Sequence, residues 1–199
     1  MTRTVKIASA VGALALTSVA VPAGVSFAGT DRPVSRSSGS SPASTQEESF
    51  LGGEPLVPET LQPPAGNAVH AVLKARGVQI YECRRGMWQP LEPAASLTGV
   101  TMSPVKKVTA VHFRGPAWVS DQDGSMVEGT DPVSEPAADG SVPQMLFKAG
   151  GNRGGGLFGP VTWIQRLDTQ GGAAPKGSCG GDQPVAVPYR AVYRFFTKK

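Results

Sequence analysis

The chain has 199 residues, a formal net charge of +4, 25 glycines and 18 prolines. That much Gly and Pro calls for many turns and excludes a bundle of long helices. Two of the 19 basic residues, Arg3 and Lys6, stand ahead of the first apolar run, leaving 17 against 15 acidic residues. That balance excludes the clustered basic face of a nucleic-acid binder. The pairs Arg84-Arg85, Lys106-Lys107 and Lys198-Lys199 read as solvated strand ends.

The apolar run Ile7 to Val21 follows Arg3 and Lys6, is broken at Pro22 and Gly24, and leads to Val25-Ser26-Phe27-Ala28. Small residues at Ser26 and Ala28 fit a signal-peptide cleavage site, which assigns residues 1–28 to an export signal. The run of about 15 residues falls short of the roughly 20 that span a bilayer. No cysteine follows it and no second arginine adjoins Arg3, so neither a lipid anchor nor the twin-arginine route is indicated. The expectation is a secreted protein with no membrane anchor after cleavage. Residues 29–58 are polar and rich in Ser, Gly and Pro, with too little apolar content to fold alone. They read as a disordered leader. Its last aliphatic residues, Phe50, Leu51, Leu56 and Val57, with Leu61 beyond them, are placed to begin docking on the domain.

Residues 59–199 read as one domain, a length that suits one hydrophobic core. Its elements are strands. Ala68 to Leu73 is short and apolar. Lys74-Ala75-Arg76-Gly77 reads as a turn, and Gly77 to Arg85 alternates with Gln79, Tyr81 and Cys83 on one face. Val105 to Arg114 places Val108, Ala110 and His112 on one face. Ala117–Ser120 and Ser125–Gly129 flank Asp121-Gln122-Asp123-Gly124, a hairpin signal. Pro143 to Ala149 opposes Met145 and Phe147 to Leu146. Val161 to Leu167 puts Trp163 and Gln165 on one face and Arg166 on the other. Val185 to Phe196 aligns Tyr189, Ala191, Tyr193 and Phe195. The fold class is all-β: a single-domain antiparallel sandwich or barrel with long Gly/Pro-rich loops.

Two cysteines, Cys83 and Cys179, in an oxidising compartment read as one disulfide. A loop of that length is worth about 4 to 5 kcal/mol in the chain-entropy model. They make a poor zinc site, having no histidine at ligand spacing. Gly154-Gly155-Gly156-Leu157-Phe158-Gly159 matches G-x-G-x-x-G in letters only. Pro160 and a strand follow where a helix N-terminus would have to hold pyrophosphate, so the segment reads as a flexible connection or a pocket wall. Position twelve from Asp121 is Pro132, which has no side-chain ligand, so Asp121 to Gly124 is a turn and no EF-hand. No cofactor and no metal are implied.

His112 shares a face with Val108 and Ala110, and a core histidine satisfied by backbone is the simpler reading than a catalytic base. Trp88, Trp118 and Trp163 either fill the core or stack a ligand. Gln165, between Trp163 and Leu167, needs a partner if buried.

Several segments, in order, carry a resemblance. They are Gly77-Val78-Gln79-Ile80-Tyr81-Glu82-Cys83, His112-Phe113-Arg114-Gly115-Pro116-Ala117-Trp118 and Asp123-Gly124-Ser125. Val142 to Phe147, Val161 to Leu167, Gly171 through Cys179 and Val187 to Tyr193 complete the set. From about Leu61 to Phe196 the chain resembles DUF3455, a family of secreted proteins without an assigned activity. The resemblance brings no catalytic residues; its pattern includes Cys83 and Cys179. The functional expectation is a non-catalytic binder of a small molecule or glycan, using His112, Trp118, Trp163 and Gln165. The alternatives are an extracellular hydrolase using His112 or a carboxylate pair among Glu82, Glu92, Glu128 and Asp168, and a cell-surface protein-interaction domain.

Overall fold

The computed structural model describes residues 57–199. The expected signal peptide and all but the end of the leader lie outside the described residues. Among the described residues no helix is long and apolar enough to cross a membrane. After one 3-10 turn (Glu59–Leu61), eight strands follow: β1 (Asn67–Arg84), β2 (Met87–Thr101), β3 (Lys107–Phe113), β4 (Ala117–Ser120), β5 (Met126–Glu135), β6 (Gln144–Arg153), β7 (Val161–Gly171) and β8 (Val185–Lys198). Each strand pairs antiparallel with the next, and β8 returns to β1, closing an up-and-down barrel. Of the two expected architectures, the barrel is the one formed. Closure gives every strand a partner on both sides, leaving only strand ends unpaired.

Two expectations about the strands need correction. The expected turn at Lys74–Gly77 is the middle of β1, an unbroken strand of 18 residues. Gly77 is there for close approach. A Cβ on it would overlap the Ala94 carbonyl oxygen and lie 2.5 Å from Ala95 Cα, across the β1–β2 pair. Strand β2, 15 residues long, escaped the sequence reading altogether. Pro90 and Pro93 disguise it. Both lie on the part of β2 that extends beyond its pairing with β3, which begins at Ala95. An absent N–H on an unpaired side breaks no ladder. Pro90 also flanks the register shift at Ile80/Tyr81.

We expect Gly77→Ala to cost about 1–3 kcal/mol, because the backbone of the paired strand must move. Gly151→Ala, whose Cβ would meet nothing closer than 3.5 Å, is the near-neutral control. Urea midpoints read both; equal shifts would contradict the close-approach argument.

Alternation sets the lumen. Ala71, Leu73, Ala75, Leu97, Ala110, Phe147, Ile164, Ala191, Tyr193 and Phe195 join one buried cluster around Trp118. Small residues on β1, β3 and β8 face large rings on β4, β6 and β8, which packs the apolar part of the lumen. A smaller cluster lies on the outer wall, where Leu61 packs with Leu146, Leu167, Val57 and Trp163. That is where the chain entering from the leader docks, as expected for Val57 and Leu61. Phe50, Leu51 and Leu56 lie outside the described residues.

The glycine-rich segment between β6 and β7 is held in place and plugs one end of the barrel; of its two expected readings the pocket wall is the one formed, with Gly156 and Leu157 lining a cleft of about 320 Å³. Leu157 and Phe158 are buried in the core, and Phe158 packs on Phe195 with ring centroids 4.8 Å apart. The Leu157 N–H donates to the Asp123 carboxylate (2.9 Å) and the Phe158 N–H to Ser125 Oγ (3.0 Å). Asn152 Nδ2 reaches the carbonyls of Phe158, Gly159 and Val161. Burial works against the Asp123 charge. Hydrogen bonds from the Ser125 and Leu157 N–H groups outweigh it and hold the pKa at about 2. Gly156, with φ +62, is where a side chain would collide with that carboxylate.

The opposite end carries the disulfide Cys83–Cys179, with Cα atoms 5.7 Å apart and a sequence separation of 96. It ties the end of β1 to the loop between β7 and β8 and confirms the expected pairing.

Candidate functional site

The lumen changes character along its length. Toward the plug it is lined by Phe158 and Phe195; toward the disulfide end come Tyr81, Tyr189 and Arg166. Trp118 sits between the two and is fully buried. From β4 it meets Phe147 of β6 and Tyr193 and Phe195 of β8 edge-on, with centroids 5.5 to 6.0 Å apart. Contacts with non-adjacent strands place it inside the barrel.

His112, directly across from Trp118 in the β3–β4 pair, stacks flat on it. The centroids are 4.5 Å apart and the planes differ by 1°. Its Nδ1 lies 2.9 Å from the Ala117 carbonyl oxygen, which only accepts, so Nδ1 carries the proton. Burial lowers the His112 pKa to about 4, and the Arg166 charge adds to this against the Ala117 hydrogen bond. The imidazole is therefore neutral at neutral pH.

Arg166 is the unexpected member. Strand alternation puts Ile164 and Arg166 inward and Trp163 and Gln165 outward. Arg166 is only 7% exposed. Nε and Nη2 both donate to the Pro143 carbonyl, at 3.1 and 2.9 Å, and Nη2 also meets Met145 Sδ at 2.9 Å. Its charge is felt by Tyr81, His112, Tyr189 and Tyr193. Among the described residues none of the ion pairs includes it. Those pairs are Arg84–Glu82, Arg114–Glu92, Arg153–Glu128 and Lys176–Asp139.

Three tyrosines surround this cation. Tyr81 donates to the Gly172 carbonyl at 2.6 Å. Burial raises the pKa of all three phenols, and Arg166 opposes the rise. The Tyr189 and Tyr193 hydroxyls perturb one another, and Arg166 bears on Tyr193, without any of these pairs meeting hydrogen-bond geometry. Both hydroxyls, Trp118 Nε1 and Thr169 Oγ1 are buried with no hydrogen-bond partner among the described residues. Leaving such a group unsatisfied costs about 1–3 kcal/mol. Buried polar atoms in native proteins are nearly always paired, to protein, water or ligand.

A lid closes this end. Ser141 and Gly172 bridge, and the Val142 N–H donates to the Gly171 carbonyl at 2.9 Å. Gly172, at φ +84, lies where a Cβ would press on Tyr189, Val142 and Gln79.

Of the four residues nominated from the sequence, the structure brings His112 and Trp118 together in the lumen. Trp163 and Gln165 lie on the outer wall. There Gln165 Nε2 donates to the Leu61 carbonyl at 2.7 Å, the partner its burial demanded, and clamps the incoming chain. Trp163 packs beside it and lines an outer groove of about 580 Å³ with Asn67, Lys148 and Lys198. A second groove, about 600 Å³, is lined by Lys74, Arg76, Asp168 and Arg190. Its cations are solvated and need no counter-ion. The carboxylates considered for hydrolysis are dispersed, with Glu82, Glu92 and Glu128 in ion pairs and Asp168 in that groove.

Sequence reasoning missed Arg166, Tyr189 and Tyr193 as site residues. The signal was present: Tyr189 and Tyr193 already shared a face, and Arg166 already opposed Gln165.

The His112 environment makes stability pH-dependent. Between about pH 6.5 and 4 the unfolded chain takes up a proton that the folded chain refuses. This stability is present above the unfolded pKa and is lost as pH falls through the folded one, about 3 kcal/mol in all. Subtracting the stability–pH curve of His112→Gln from that of the wild type should leave this slope; parallel curves would contradict it.

Fold and site together define a class: a small up-and-down β-barrel, plugged at one end, disulfide-tied at the other, with a buried polar cluster inside. The chain belongs to DUF3455, described as a protein family of unknown function, whose model matches residues 64–197. No curated protein and no solved structure matches it.

Proposed function

We propose that this chain is an exported, non-catalytic carrier that holds a small polar molecule at the disulfide end of its barrel. Export is supported by the N-terminal pattern of charge, apolar run and small residues, together with the disulfide. Binding is supported by one observation above the rest: buried polar atoms of Trp118, Tyr189 and Tyr193 with no hydrogen-bond partner among the described residues, beside the His112–Trp118 ring pair and Arg166. Barrels of eight strands are either filled or hold one small ligand. Apolar walls with a few convergent polar groups are the usual composition of such a site.

A catalytic role has less support. His112 is neutral, held by Ala117 and stacked on Trp118, and among the described residues none of the ion pairs or hydrogen bonds joins it to a carboxylate.

A thermal-shift screen of small polar molecules against the wild type and the Tyr189→Phe/Tyr193→Phe double variant tests the reading. Removing two unsatisfied hydroxyls should leave the ligand-free melting temperature unchanged or higher. Molecules that stabilise the wild type should lose their effect on the variant. A variant that melts lower and keeps every response would overturn the reading.

A further inference from the structure

We infer that the molecule held in the barrel is an anion, a small carboxylate or a compound bearing one, and that Arg166 is its counter-ion. This rests on the binding reading above and adds the chemical class of the ligand.

The argument begins with the position of the charge. Arg166 lies inside the barrel, almost fully buried, and arginine stays protonated at any relevant pH. A buried charge without a partner carries a desolvation cost of several kcal/mol, so buried charges are paired in native proteins. The groups around Arg166 are phenols, a neutral imidazole, a carbonyl and a thioether. None bears a negative charge. The Pro143 carbonyl takes Nε and Nη2, and Tyr193 stands directly across from Arg166 in the β7–β8 pair.

The surroundings are arranged for the same chemistry. Tyr189 and Tyr193 bring two hydroxyls with no hydrogen-bond partner to the region of the guanidinium. A carboxylate accepts only, and can take hydrogen bonds from a guanidinium and a hydroxyl together. The solvated cations of the outer wall lack both features. Their charge is screened by water, and their groove has no buried unsatisfied donors.

The test uses the oxidised full chain, at fixed ionic strength, with formate, acetate, benzoate and phosphate as probes. Formamide, acetamide and benzamide serve as neutral controls. Melting temperature and isothermal titration are read for the wild type, Arg166→Met and Arg166→Lys. The expected result is that at least one anion raises the wild-type melting temperature while its amide does not. Affinity should fall about 30-fold or more in Arg166→Met. It should fall less in Arg166→Lys, which keeps the charge and loses the planar fork, and which also serves if Arg166→Met does not fold. The ligand-free Arg166→Met protein should melt no lower than the wild type, since an uncompensated buried charge has been removed.

Binding of amides as tightly as anions would leave the carrier reading standing and overturn the anionic one. No response to any of the four anions would overturn the inference whatever the variants do. A lower melting temperature for ligand-free Arg166→Met would also overturn it, by showing Arg166 to be a structural clamp on the Pro143 loop.

Discussion

Trp118→Ala should destabilise the barrel by about 3–5 kcal/mol, the range for removing a buried tryptophan. The side chain is fully buried and bridges four strands through its contacts with His112, Phe147, Tyr193 and Phe195. No neighbour can collapse into the space, because the rings around it are fixed on separate strands. Chemical denaturation reads the loss as a lower midpoint. Trp163→Ala gives the contrast, since that ring packs on the outer wall and is only half-buried. If the two substitutions cost the same, Trp118 is not the keystone of the lumen.

Removing the disulfide with Cys83→Ala/Cys179→Ala should cost about 2–5 kcal/mol, chiefly by freeing the unfolded chain. The bridge encloses 96 positions of sequence and so constrains most of the barrel. It also fixes the loop between β7 and β8, where the Cys179 N–H donates to the Gly86 carbonyl at 3.0 Å. Both readouts are accessible. Midpoints by denaturation should fall, and hydrogen exchange in residues 172–184 should quicken more than in the plug. A midpoint that does not move would contradict the constraint argument.

Much of the fold was legible because strand alternation is local. The faces assigned to Val108, Ala110 and His112, and to Tyr189, Ala191, Tyr193 and Phe195, are the faces the barrel buries. Strand β2 was not legible. Its prolines are tolerated only because β3 ends short of them, a fact of register and not of composition. Gly77 misled for a similar reason. Glycine marks a turn and a close approach equally well, and only the Ala94–Ala95 backbone across from it distinguishes them.

The site divides in the same way. His112 and Trp118 are near in sequence and face each other across a short hairpin, so a local pattern suffices to bring them together. Trp163 joins them in the sequence reading as a ring that could stack a ligand, and Gln165 as a polar group that needs a partner if buried. Their partner is Leu61, 104 positions from Gln165, which no local pattern reveals. Arg166 falls on the strand face opposite Gln165, but a charged side chain is read as outward by default. The barrel reverses that default by burying the Ile164 face, and only closure decides which face that is.

The most direct measurement is native mass spectrometry of the oxidised protein purified from its own culture medium, repeated after unfolding. The account predicts a chain that begins near Gly29, with an added small-molecule mass that disappears on unfolding and is absent from the Tyr189→Phe/Tyr193→Phe variant. A wild-type chain of bare mass in both spectra, unmoved by any small polar molecule added back, would contradict the carrier.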